Sequence, residues 1–211
     1  MLRPTVIRNY LSILESMGYS QQQVLQGTGI DARRLYEDDY LVESSGCQKT
    51  ICNIIQLTGN PGIGLEIGGK TELLSFGITA YALTTCRFLW ETSYVWRQYS
   101  EPLLGMMSRI EVGEDKIGNM TLTISDPSYA SPIFVFCVEE FFAMICKLGR
   151  DMTGARHKFI NVELPYPRPK YGGRYETLFA CHMKFCARHA RLTIDKRWVG
   201  LQLVAPEDSP E

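Results

Sequence analysis

Apolar residues recur at helical spacing from the start of the chain. Val6, Ile7, Tyr10, Leu11, Ile13, Leu14 and Met17 follow Thr5, and Gly18 stands where a helix would stop. This predicts an amphipathic first helix. Ser20 with Gln23 forms a Ser-x-x-Gln capping box, which starts a short second helix through Val24 and Leu25 before Gly27 and Gly29 end it. A third helical pattern runs from about Ser45 through Ile51, Ile54, Ile55 and Leu57 into the turn cluster Gly59-Asn60-Pro61-Gly62. Leu73 to Tyr99 predicts two further helices, broken near Thr84 and Thr85.

After Gly105 the period falls to two. Met106 to Val112 and Asn119 to Ile124 alternate on either side of Gly113-Glu114-Asp115-Lys116, which predicts a hairpin. Ser131 as N-cap and Pro132 in the first helical position open a long helix that is apolar almost all round, with Gly149 near its end. Phe159 to Leu164 predicts a strand, Tyr175 to Ala180 a short helix, and Met183 to Cys186 with Arg191 to Ile194 the closing strands. The fold class is therefore α+β: a helical part over 1–104 packs on a small antiparallel sheet with a long buried helix over 105–205, and 206–211 forms a tail or the start of a linker.

Composition narrows the functional classes. With 45% hydrophobic and 21% charged residues over 211 positions, the chain has the make-up of a globular protein with a real core. Apolar runs such as Ile133 to Val138 fall far short of the roughly 20 residues a membrane span needs, and no secretory leader opens the chain, so a cytoplasmic protein with no membrane partner is expected. A formal charge of −1 gives no overall field to steer the chain towards phosphate. The seven cysteines are an odd number, spread through apolar stretches, which suits a reducing compartment better than a disulfide framework.

In order along the chain, Gly62-Ile63-Gly64-Leu65-Glu66-Ile67-Gly68, the helix start Cys86-Arg87-Phe88-Leu89-Trp90-Glu91, and the run Tyr175 to Phe185 followed by Leu192, Ile194 and Asp195 form a sequence of motifs. This order and spacing resembles the "arabinose-binding" type N-terminal domain of AraC-family transcription regulators, in the subgroup of ornithine-utilisation and virulence regulators. The resemblance covers nearly the whole chain. It implies a sensor of a small-molecule effector that pairs as a homodimer and reaches DNA only through a C-terminal helix-turn-helix module, which is absent here. The sequence departs from the family pattern at Phe88, where several members carry a small or hydroxyl residue, and at Ala180, where they carry glycine.

Each candidate chemistry has a plainer alternative. Gly62, Gly64 and Gly68 lack the third glycine spacing and the preceding strand of a dinucleotide fingerprint, so a turn into a helix is the better account. Cys181, His182, Cys186 and His189 match no recognised zinc spacing, and no metal or cofactor is assigned. With His157, His182 and His189 the only histidines and no nucleophile motif, the chain is not expected to be an enzyme; the alternative is a small cytosolic enzyme with a Cys/Glu-containing pocket. Glu139 and Glu140 interrupt an apolar helix, where such a pair more often marks a wet edge, but a buried one needs a partner or a cationic ligand. Phe76, Tyr81, Phe88, Trp90, Tyr94, Trp96 and Tyr99 include core residues and candidate pocket walls. Arg87, Arg97 and Arg109 offer carboxylate-binding forks, although solvated arginines are commoner. The ligand-binding candidates are Phe76, Tyr81, Phe88, Trp90, Tyr94, Arg97, Phe134 and Glu139. Pro165 to Tyr171 predicts a stiff surface crossing from a strand to the next helix.

Overall fold

Helix α1 (Thr5–Ser16) turns Ile7, Tyr10, Ile13 and Leu14 inward on one stripe. It gives way at Gly18, whose φ of 90° suits a residue without a side chain. In this computed structural model residues 1–76, 78–95, 110–125, 131–154 and 159–203 are described. The expectations for Trp96, Arg97, Tyr99, residues 106–109, His157 and the 206–211 tail lie outside them.

The capping box at Ser20 forms as expected, with Ser20 and Gln23 bonded reciprocally at the head of α2 (Gln21–Leu25). After a 3₁₀ turn (Ala32–Arg34), α3 (Ser44–Thr58) ends on left-handed Gly59. Helix α4 (Ile63–Lys70) follows its N-cap Gly62, so this glycine segment joins two helices and is no strand-to-helix loop. A 3₁₀ turn (Leu73–Phe76) leads to α5 (Ile78–Thr84), and α6 covers 89–95 as described; the break near Thr84 and Thr85 falls where expected.

Strands β1 (Ile110–Glu114) and β2 (Met120–Ile124) form the hairpin, with Gly113 and Glu114 inside the ladder and the turn after them. The turn moves because Asp115 is the residue that closes it. Its carboxylate accepts from the backbone of Ile117 and Asn119, each at 2.9 Å, and Gly118 takes φ 87°. Helix α7 (Pro132–Thr153) is capped by Ser131, passes through Gly149 and stops at left-handed Gly154. Strand β3 (Phe159–Glu163), α8 (Gly173–Phe179), β4 (His182–Lys184), β5 (Ala190–Ile194) and α9 (Lys196–Val199) complete the described elements.

The sheet order is β1-β2-β5-β3-β4. It is mixed, and the expectation of a purely antiparallel sheet is corrected at one pair: β3 and β4 run parallel. The cause is α8, which carries the chain back so that β4 re-enters in the direction of β3. The Pro165 to Tyr171 connection does join strand to helix, but Tyr166 within it is turned inward from the surface. Leu164 and Tyr166 are buried, and their backbones bond to the 184–187 segment.

Two apolar clusters share one helix. Phe134, Val138, Phe141, Phe142 and Ile145 of α7 pack with Met120, Leu122, Ile124, Leu192 and Ile194 of the sheet. Phe136 and Cys137 of the same helix pack with Ile7, Tyr10, Ile51, Ile54 and Ile67 of the helical part. Helix α7 thus stands between the sheet and α1 to α4, which is why it reads as apolar nearly all round.

Close approach of α4 to α7 makes this possible. Gly64 and Gly68, one turn apart, face α7: a Cβ on Gly64 would lie 2.6 Å from the Phe136 carbonyl oxygen, and one on Gly68 only 2.1 Å from that of Glu140. A Cβ on Gly69 would meet nothing within 4 Å among the described residues. Gly68→Ala is therefore expected to cost about 3 kcal/mol by overpacking, whereas Gly69→Ala gains about 0.5–1 kcal/mol in helix propensity; urea unfolding of both variants reads the difference. Ala180 closes α8 in the left-handed region at φ 48°. At that exposed position Ala180→Gly relieves backbone strain and is expected to raise stability by about 1 kcal/mol.

Candidate functional site

Two features of the described structure have the chemistry of a site: an aromatic face on α5 and α6, and a pair of carboxylates on α7.

Ala80 and Leu83 of α5 point into the core, so Tyr81, one step round the helix from Ala80, points out and is 73% exposed. In α6 Leu89 and Thr92 are buried, which leaves Trp90 and Tyr94 on the opposite side, one turn apart. Their rings meet edge to face, with centroids 5.8 Å apart. The Glu91 carboxylate reaches back to the backbone N–H groups of Arg87 and Phe88, at 2.5 and 3.2 Å, and so fixes the start of α6.

The residues leading into α6 are tied to the last described segment of the chain. Phe88 bridges Gln202, Leu89 N–H donates to the Leu201 carbonyl at 2.9 Å, and Leu203 N–H donates to that of Arg87 at 2.8 Å. The aromatic face and the 201–203 strand therefore form one mechanical unit.

Glu139 and Glu140 occupy successive positions of α7 and face different elements. Glu139 is 1% exposed, so the wet-edge expectation fails for it. Tyr171 Oη donates to Glu139 Oε1 at 2.7 Å, and Tyr175 Oη donates to the same oxygen in a short bond. Tyr166 lies behind, its hydroxyl 3.4 Å from that of Tyr175. Glu139 Oε2 is buried without a hydrogen bond among the described residues. On the other side Tyr10 Oη of α1 donates to Glu140 Oε2 at 2.7 Å. Burial pushes both carboxyls up to about 7, against the opposing effect of their tyrosine donors. Burial beside these acids also raises the hydroxyls of Tyr10, Tyr166, Tyr171 and Tyr175.

The structure does not bring all the sequence candidates together. Tyr81, Phe88, Trp90 and Tyr94 are exposed; Phe134 is a core residue of the sheet-side cluster; Glu139 is buried under α4 and α8. Phe76 belongs to the 3₁₀ turn, and its side chain lies outside the described residues, as does Arg97. Arg87 is exposed. Sequence reasoning missed the tyrosines that hold the two acids. Tyr171 ends the crossing and Tyr175 lies in α8, so no single helical stripe marked them, and Tyr10 is 130 positions from Glu140.

Cys181, His182, Cys186 and His189 are spread out: His182 Nδ1 lies 3.0 Å from Asn161 Oδ1, and His189 Nδ1 lies 3.3 Å from Ser125 Oγ. Among the described residues no three His, Cys, Asp or Glu side chains are grouped to hold a metal ion, and no helix is long and apolar enough to cross a membrane. Burial pushes the thiols of Cys47 and Cys181 up to about 11 and raises those of Cys86 and Cys146, the opposite of what a thiolate nucleophile requires.

Comparison with known proteins follows the same lines. The family profile described as "Arabinose-binding domain of AraC transcription regulator, N-term" matches residues 18–203. A search of curated proteins gave no match. Among solved structures, the transcriptional regulator CdpR from Pseudomonas aeruginosa has a similar fold, with a TM-score of 0.59 at 12% identity. That likeness covers 80% of this chain and 60% of the CdpR chain.

The carboxyl pair makes stability depend on pH. Both native values lie near 7, above the unfolded value of about 4.3. The native state therefore holds protons that the unfolded chain has already released, and stability is lost as pH rises through 7. Asp31, Asp115 and Asp195 are lowered and act only at acid pH, outside this window. Thermal unfolding is expected at higher temperature at pH 5.5 than at pH 8, and Glu139→Gln should flatten that slope; equal slopes in both proteins would refute the assignment.

Proposed function

Because the chain belongs to the arabinose-binding-type N-terminal domains of AraC transcription regulators, we propose that it is the signal-receiving part of such a regulator. A small-molecule effector binds at the aromatic face of α5 and α6, with Tyr81, Phe88, Trp90 and Tyr94 as its walls and Arg97 as a fork for an acidic group. The carrying observation is the backbone pairing of 87–89 with 201–203. A ligand that repositions the start of α6 must also reposition this strand, the direction in which regulators of this type carry their DNA-reading module.

Such coupling requires only that the effector prefer one of two arrangements of α6. Phe134, which shares the sheet-side cluster with Ala80 and Leu83 of α5, belongs to the same proposal as a core residue that senses the shift, whereas Glu139, held under α4 and α8, stands apart from this face. Self-association as a homodimer, a cytoplasmic location and the absence of catalysis complete the reading. The raised thiols support the last of these.

Native mass spectrometry of the purified chain, followed by denaturation, identifies any retained small molecule and the number of subunits. Trp90→Ala and Tyr94→Ala should each weaken effector binding about tenfold, since aromatic walls dominate such contacts. Both side chains are exposed, so stability should change by only about 0.5 kcal/mol. Binding that is indifferent to both substitutions, or turnover of the bound compound, would overturn the reading.

A further inference from the structure

We propose that a second site, the cleft between α1 and the turn at Leu73–Phe76, binds a small carboxylate with an apolar body. The cleft has a volume of about 690 Å³, and Arg8, Asn9, Ser12, Tyr36, Lys70 and Leu74 are among its walls. That size suits a small-molecule ligand.

Arg8 is the centre of the site. It is half-buried and makes no ion pair among the described residues. Its Nη2 donates to Thr5 Oγ1 at 3.3 Å, and its guanidinium lies over the Tyr36 ring, 5.3 Å from the centroid. The cation–π contact holds the fork in place without using up its donors. A half-buried guanidinium with free donors is matched by a carboxylate, which accepts two parallel hydrogen bonds from it.

The neighbouring groups fit that ligand. Ser12 stands one turn along α1 from Arg8, on the same side of the helix, and its hydroxyl makes no hydrogen bond among the described residues. Asn9 is oriented by its bond to Thr71 Oγ1 at 3.0 Å. Lys70 is neutralised by Glu66 at 3.1 Å, so Arg8 is the cation left to meet an anion. Tyr36 and Leu74 are 78% and 80% exposed and supply an apolar rim for the body of the ligand. Glu72 also borders the cleft without an ion pair among the described residues, which leaves room for an ammonium group on the same ligand.

The test uses the 211-residue chain and three compounds of one skeleton: 3-phenylpropionate, L-phenylalanine and 3-phenylpropanol. In heteronuclear NMR titrations at millimolar concentration, at least one carboxylate should shift the amides of 8–16 and 70–75. The alcohol should bind about tenfold more weakly, and Arg8→Gln should cost the carboxylate about tenfold in affinity. Tighter binding of phenylalanine than of phenylpropionate would assign Glu72 to the ammonium group. No shifts in these amides, or equal affinity in Arg8→Gln, would overturn the proposal. Trp90→Ala should leave the titration unchanged, so failure here and failure of the aromatic effector site are read separately.

Discussion

Helix α4 lies so close to α7 that two of its residues have no space for a side chain. Gly64 and Gly68 admit the α7 backbone between them, and the Phe136 and Glu140 carbonyl oxygens fill the places where Cβ atoms would stand. Dispersion contacts fall away steeply with distance, so approach at this range gives dense packing that larger residues cannot reproduce. The contact draws the helical part onto one side of α7 and leaves the other side free to cover the sheet. Both apolar clusters depend on it, because each includes residues of α7.

The same approach explains the chemistry beneath it. Excluding water from the α4–α7 contact buries Glu139, and a buried carboxylate is costly unless protonated or well bonded. The structure uses both solutions: tyrosine hydroxyls converge on Oε1, and burial raises the carboxyl to about 7 so that it is readily neutral. Glu140, one residue on, holds Tyr10 of α1 in the same way. These neighbouring acids therefore fasten α1 and the Tyr171–Tyr175 segment to different sides of a single helix. Their tyrosines come from distant parts of the chain, so the pair reports on the whole assembly more than on a local ligand.

The aromatic face has a different character. Its rings stand outward because their helix neighbours Ala80, Leu83, Leu89 and Thr92 are the ones the core takes. Pairing between 87–89 and 201–203 makes this face part of the route by which the chain leaves the fold. The cleft at Arg8 is bordered by Leu74 and Ser75 of the 3₁₀ turn that precedes α5. A ligand in either place would press on elements that flank α5.

Much of the fold was legible along the chain. Periodicity, the Ser20 capping box, the glycine stops and the Ser131-Pro132 helix start placed most elements, because those signals act between residues a few positions apart. The order of motifs also pointed to the family. Where sequence reasoning missed, the deciding partner was distant. The Asp115 turn shifted the hairpin boundary by two residues of ladder, and the return through α8 made β4 parallel to β3. Whether Glu139 met water or protein depended on Gly64, Tyr171 and Tyr175, none of them near it in sequence. The sequence by itself determined which segments are helix or strand and which face of each is apolar, since these follow from local spacing. Only the tertiary structure decided which acids are buried, which aromatics stay in solvent and which backbone groups join 87–89 to 201–203, because burial and pairing belong to contacts that chain order does not record.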